Sequence, residues 1–260
     1  MRQAPQRKRL QNFDLRVWYN RCMSIQFARP LFAALTFACA ALAHAAPKVE
    51  DTMAQRMQAC TGCHGAQGRA ASDGYYPRIA GKPAGYLYNQ LVSFRDGRRH
   101  YALMTNLLAP LSDDYLREIA EHFAALDVPY PPPQPANTSV DLLSRGETLV
   151  LRGDAALTIP ACVQCHGSAL MGVAPAIPAI VGMPRDYLNA QLGAWRTGNR
   201  HANAPDCMAQ VARALAPADI SALSQWLAAQ PVSAGAKPAG ALPDALPLPC
   251  GGMTTAGSKP

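Results

Sequence analysis

Cys60-Thr61-Gly62-Cys63-His64-Gly65 and Cys162-Val163-Gln164-Cys165-His166-Gly167 decide how the rest of this 260-residue chain is read. Each has the form C-x-x-C-H, a spacing suited to covalent attachment of a c-type haem. Two thiols so placed can add to the two vinyl groups of one porphyrin, and the next residue offers an imidazole to the iron. A single motif could equally be a thioredoxin-like or zinc-binding pair. Two copies, each continued by glycine, favour two covalently bound haem c groups. Cys60, Cys63, Cys162 and Cys165 are then the attachment residues, with His64 and His166 on the irons.

The two motifs head a longer internal repeat. Pro77-Arg-Ile-Ala-Gly81 matches Pro178-Ala-Ile-Val-Gly182, and Tyr86, Leu87, Gln90, Leu91, Phe94, Arg95 and Arg99 match Tyr187, Leu188, Gln191, Leu192, Trp195, Arg196 and Arg200 at a constant offset of 101. After three extra residues in the second copy, Met104 aligns with Met208 and Leu111 with Leu215. The chain is thus a tandem duplication of a unit of about 100 residues.

Each unit reads as helical. Pro83 and Pro184 suit a helix start. The apolar residues that follow recur at i, i+3 and i+4, and Gly97 and Gly198 suit a helix end. A last helix is expected from Ser112, with Leu116, Ile119, Phe123 and Leu126 inward, and its counterpart from Pro217, with Ile220, Leu223 and Leu227 inward. Helices over about 51–60 and 141–152 are expected to deliver the two motifs. No stretch shows sustained strand alternation, so the fold class is all-α.

The sixth iron ligand separates an electron carrier from a protein that binds substrate at iron. Met104 and Met208 are the candidates, because both hold the same position relative to the last helix. A neutral thioether favours Fe(II) and raises the potential of a His-ligated haem. His100 and His201 are in register too and compete as bis-histidine ligands; otherwise they are surface or propionate-edge residues. Arg95, Arg99, Arg196 and Arg200 either neutralise propionates or lie on solvated surface. Pro77 and Pro178 are expected to wall the haem crevices, and Phe94 and Trp195 to pack the cores rather than relay electrons. His122 reads as a surface residue.

Of 24 basic and 17 acidic residues, seven basic and one acidic lie within residues 1–46, so the formal charge of +7 leaves about +1 for the remainder. That balance argues against a nucleic-acid surface. The basic start leads into an apolar run, residues 30–43, shorter than the roughly 20 residues a membrane span needs. It closes on Ala43-His44-Ala45. Residues 1–45 therefore read as a secretory signal peptide, with an uncleaved anchor as the alternative and Met23 as a second candidate start. Export to the periplasm agrees with haem attachment, which takes place outside the bacterial cytoplasmic membrane. Cys22 and Cys39 belong to this leader. Cys207 and Cys250 remain, either paired in an oxidising compartment or as free thiols.

The expected organisation is a first domain over 46–130, a Pro-rich linker over 131–136, a second domain over 137–231 and a tail over 232–260. The tail is Pro-, Ala- and Gly-rich, a composition that favours disorder except for whatever Cys250 holds.

The paired motifs, the Pro-x-x-x-Gly stretches, the Tyr-Leu-x-x-Gln-Leu helices, the Gly-x-Arg turns and the methionines seven residues before leucine resemble the two-haem cytochrome c4 family of the class I cytochrome c superfamily, over about residues 50–230. The resemblance implies two tandem cytochrome c domains with neighbouring haem edges, and periplasmic electron delivery toward a terminal oxidase. Departures are the absence of an Asn-Asp pair before Met104, the placing of Cys207 beside Met208, and the extended tail. The leading reading is a non-enzymatic carrier of single electrons with no catalytic residues. Its partners would be a terminal oxidase, a quinol-oxidising complex or a dehydrogenase, and any membrane association would run through a partner. The alternative is the haem subunit of a periplasmic dehydrogenase of thiosulfate, sulfide or alcohol type, with a catalytic second haem. Cys207 is the one feature favouring it. A redox sensor using Cys207 and Cys250 is a third reading.

Overall fold

Ser112 shows how local chemistry sets the helices. Its hydroxyl accepts the Tyr115 N–H at 3.3 Å, satisfying one of the amides left open at a helix start, while Asp113 and Asp114 sit in the positive first turn. The computed structural model describes residues 50–70 and 74–253; the expected signal peptide, with Cys22 and Cys39, lies outside the described residues. In chain order the helices are α1 (Met53–Arg56), α2 (Gln58–His64), α3 (Ala84–Arg95), α4 (Ala102–Leu108), α5 (Asp113–Ala125), α6 (Val140–Leu151), α7 (Cys162–His166), α8 (Arg185–Thr197), α9 (Cys207–Ala214) and α10 (Pro217–Ala228). A two-residue hairpin, β1 (Gly172–Val173) with β2 (Ile177–Pro178), pairs antiparallel between α7 and α8.

Two apolar cores correspond to the two repeats. In the first, α3 packs on α5, and Leu87, Val92, Leu116, Ile119 and Phe123 are buried together. In the second, α10 packs on both α6 and α8, burying Leu149, Leu188, Ile220, Leu223 and Leu227. Each fully buried side chain of this kind contributes about 1.5–3 kcal/mol. The inward residues expected for the last helices are those observed, except that Leu126 is the half-buried cap of α5.

Three local expectations are corrected. The helix before the first motif breaks at Met57 into α1 and α2. The helix over 140–151 stops ten residues short of Cys162. Gly153 follows it at φ 73°, where a Cβ would overlap the Ile159 carbonyl. Asp154 then caps a tight turn by accepting the Ala156 and Leu157 N–H groups at 3.1 and 3.3 Å, so the second motif rides on its own short helix, α7.

The third concerns the tail. Composition favours disorder, yet residues up to Met253 are held by backbone groups, whose hydrogen bonds do not depend on side-chain type. Ala239 donates its N–H to Gly172 O at 2.9 Å and accepts from Ala174 N–H at 2.8 Å. Cys250 is joined to Cys207 in a disulfide with a Cα–Cα distance of 5.0 Å.

Candidate haem sites and the interface between them

Helix α2 ends on His64, and its Nδ1 lies 2.8 Å from the Pro77 carbonyl. A carbonyl only accepts, so Nδ1 carries the proton and Nε2 keeps the lone pair a metal needs. The second site repeats this: His166 Nδ1 lies 2.8 Å from Pro178 O. Burial pushes both imidazoles below their ordinary pKa, against the opposing pull of the proline carbonyls, so both rest in the neutral, ligating form. Pro77 and Pro178 thus wall their sites as expected, and their carbonyls also set the histidine tautomers.

The cysteines behave as apolar-site thiols. Burial raises Cys60 and Cys165 and pushes Cys162 up to about 12. Redox-active C-x-x-C pairs have the opposite shift. Among the described residues no group of three His, Cys, Asp or Glu side chains is placed to hold a metal ion, which leaves the motifs without the further ligands of a zinc site.

A cavity of about 640 Å³ opens beside the first motif, lined by Cys60, Cys63, His64, Ile79, Leu87 and Met104. Met104, on α4, is half-buried against the first core. Met208, on α9, takes the same place against the second core, where Cys162 also packs. Each methionine therefore reaches the core that carries its own histidine. The competing imidazoles are less buried: His100 and His201 are exposed, and His100 lies on the rim of the cavity that Met104 lines. His122 is half-exposed and makes an edge contact with Phe123. Cys207 is held in the disulfide, so its sulfur is not a thiolate beside Met208.

The arginines have two roles that the sequence reading did not separate. Arg95 donates to Leu111 O at 3.2 Å and pairs with Asp113. Arg196 likewise donates to Leu215 O. Each ties the end of its domain's long helix, α3 or α8, to the segment that joins the methionine helix to the last helix. Arg99 and Arg200 instead meet across the boundary between the domains, in an antiparallel bridge. Arg99 donates to Gln90 and Gln191 at 3.0 and 2.6 Å and to the Tyr187 hydroxyl at 3.1 Å. Arg200 donates to Gln191 and Gln90 at 2.8 and 2.9 Å and to the Tyr86 hydroxyl at 3.4 Å. Each guanidinium also stacks on its repeat's aromatic residue, Phe94 at 4.4 Å and Trp195 at 3.7 Å. The clue in the sequence was Gln90 and Gln191, polar residues recurring in otherwise apolar helical patterns.

The cavity beside His64 extends to this boundary, where Tyr187, Gln191 and Arg200 also line it. Arg99, Arg200 and Lys82 are all buried and form no ion pair among the described residues. Buried charge without a counter-charge is costly, and the carboxylates of a haem edge would supply it. Trp195, packed against the second core, has its Nε1 buried without an acceptor. The residues present fit two haems.

A search of protein-family models gives no match. Among curated proteins, the chain is 39% identical over 193 residues to the thiosulfate dehydrogenase electron acceptor of Thiomonas intermedia strain K12, covering 74% of this chain and 88% of that protein. It is 34% identical to cytochrome c4 of Pseudomonas aeruginosa, covering 74% of this chain and 94% of the relative. The chain belongs to the cytochrome c4 family. Reduced recombinant cytochrome c4 from Pseudomonas stutzeri superposes with a TM-score of 0.56 at 30% identity, covering 67% of this chain and 94% of that one. The thiosulfate dehydrogenase TsdBA of Marichromatium purpuratum superposes with a TM-score of 0.57 at 33% identity, over 66% of this chain and 36% of that longer one.

The fold is accordingly all-α with two tandem cytochrome c domains, and the protein is an electron carrier with two covalently bound haem c groups. Among the described residues no helix is long and apolar enough to cross a membrane.

Proposed function

We propose that this is a periplasmic dihaem carrier that takes single electrons from a dehydrogenase and delivers them toward a terminal oxidase. In this reading Cys60, Cys63, Cys162 and Cys165 hold the two haems, His64 and Met104 complete the first site, and His166 and Met208 the second. The observation that carries it is the duplicated geometry: in both domains a proline carbonyl orients the histidine and a methionine from the penultimate helix packs against the same core. When bound, each haem supplies an iron that takes up and releases one electron.

The chain's own contribution is to hold that chemistry still. Pro77 and Pro178 keep His64 and His166 in one tautomer. Arg95 and Arg196 fix the carbonyls that follow the methionine helices. Arg99 and Arg200 anchor the domains to each other between the two sites. Two sites closed by histidine and methionine leave no position for a substrate. The disulfide at Cys207 removes the feature that favoured a thiolate-ligated, catalytic second haem. The name borne by the Thiomonas relative supports a thiosulfate-oxidising dehydrogenase as the electron donor, and the A-x-A signal at 43–45 supports export.

Anaerobic redox titration tests this reading. The haem-loaded protein should take up two electrons per chain, stay oxidised with thiosulfate alone, and become reduced when a thiosulfate dehydrogenase is added. Reduction by thiosulfate alone, or carbon monoxide binding to either ferrous haem, would contradict a closed carrier.

A further inference from the structure

The two methionine helices begin differently. Aligning Met104 with Met208 places Leu103 opposite Cys207, and the contrast between those positions is sharp. Leu103 is 63% exposed, and Tyr101 starts α4 without a side-chain cap. Within α4, Thr105 is tied to Phe94 O at 3.0 Å. Helix α9 is restrained at its start by three further devices. Asp206 accepts the Ala209 and Ala202 N–H groups at 3.0 and 2.7 Å. Cys207 is bonded to Cys250. Gly251 donates its N–H to Pro205 O at 2.9 Å, and a Cβ on Gly251 would overlap the Ala204 carbonyl. The tail residues are themselves anchored on the other domain, because Asn89 of α3 donates to Gly252 O at 3.0 Å.

We propose that residues 250–252 are a clasp that positions Met208, pressing the 202–207 segment against α3 and holding the second site closed more firmly than the first. This rests on Met208 being the ligand of the second haem. Cys250, Gly251 and Asn89 act through Met208 and touch no haem chemistry themselves. The physical basis is that a methionine leaves its iron when its loop opens. Every restraint on the 202–207 segment adds to the cost of opening it. The disulfide closes a loop spanning 43 residues, so removing it returns chain freedom mainly to the tail and to this segment. Among the described residues the start of the first methionine helix has no disulfide and no tail segment; it is held by the His100 N–H to Asn199 O at 3.1 Å and by the Tyr101 hydroxyl to that of Tyr76 at 3.4 Å.

Imidazole is the probe, titrated into the ferric, haem-loaded protein while the methionine–iron charge-transfer band is followed. Met104→Ala leaves only the second site reporting, and Met208→Ala leaves only the first. The second site should resist imidazole roughly tenfold more than the first. Cys207→Ser/Cys250→Ser should remove that difference in the Met104→Ala background and leave the first site unmoved in the Met208→Ala background. A loss of general stability would instead move both sites. Gly251→Ala, which keeps both cysteines, should shift the second site in the same direction. If Met208→Ala leaves the band at full intensity, the ligand assignment itself fails. If Met208→Ala halves the band and neither clasp variant changes the second-site titration, the clasp is overturned while the ligand assignment stands.

Discussion

Arg99 and Arg200 each hydrogen-bond to both Gln90 and Gln191, so each domain's arginine is shared between its own glutamine and its partner domain's. Both guanidinium groups are buried. Removing one leaves two glutamine oxygens short of a charged donor, and a hydrogen bond to a charged group contributes about 1.5–3 kcal/mol. Arg99→Ala and Arg200→Ala are each expected to destabilise the boundary between the domains by about 2–4 kcal/mol. Denaturant unfolding should then separate into two transitions. Because the network is nearly symmetric, Gln90→Ala and Gln191→Ala should cost similar amounts. A single unchanged transition in both arginine variants would count against the network as the link.

Attachment can be counted directly. Cys60→Ser/Cys63→Ser is expected to reduce the covalent haem content from two per chain to one, as is Cys162→Ser/Cys165→Ser. Mass spectrometry of the denatured protein reads this without reference to activity. Retention of two haems in either variant would remove that motif from the account.

Gly146 brings the backbone of α6 close to that of α10, where an added Cβ would overlap the Ala222 carbonyl. Backbone cannot give way as a side-chain end can, so Gly146→Ala is expected to cost about 1–3 kcal/mol. Thermal unfolding followed at the second haem should show the loss. The first core, on separate helices, should be unaffected in its own spectral signals.

The Asp154 turn should contribute to acid sensitivity, as should the other aspartates paired with arginine, Asp51 and Asp113. Hydrogen bonding from Arg145, joined by the Leu157 and Ala156 amides, holds the Asp154 carboxyl below the ordinary carboxylate range. A depressed folded pKa stabilises above the unfolded value, about 3.9, and that stability is lost as pH falls through the folded one. Asp154→Asn should therefore melt below wild type at neutral pH, with the gap closing as pH drops beneath the carboxylate range. A gap independent of pH would show that the Asp154 charge contributes nothing.

The repeat made the fold legible. Residues matched at an offset of 101, and at 104 after the three inserted residues, carried the two cores, the helix starts at Ser112 and Pro217, and the paired placing of Met104 and Met208. What stayed hidden was chemistry between distant segments. The 141–152 helix was expected to deliver the second motif and has nearly those bounds, but Gly153 at positive φ and the Asp154 turn intervene before Cys162. The Cys207–Cys250 pairing was one of two readings open from the sequence, but composition does not reveal the tail's other anchors, the backbone groups at Ala239 and Gly251 and the Asn89 bond to Gly252. Arg99 and Arg200 recur visibly, yet only folding shows that they face each other across the domain boundary and not solvent.

Closure of each iron by histidine and methionine is read in the ferric near-infrared spectrum with magnetic circular dichroism. The haem-loaded protein should show methionine–iron charge-transfer intensity equivalent to two haems, halved by Met104→Ala and halved by Met208→Ala. Intensity for one haem only, unaffected by one of these substitutions, would contradict the account at that site.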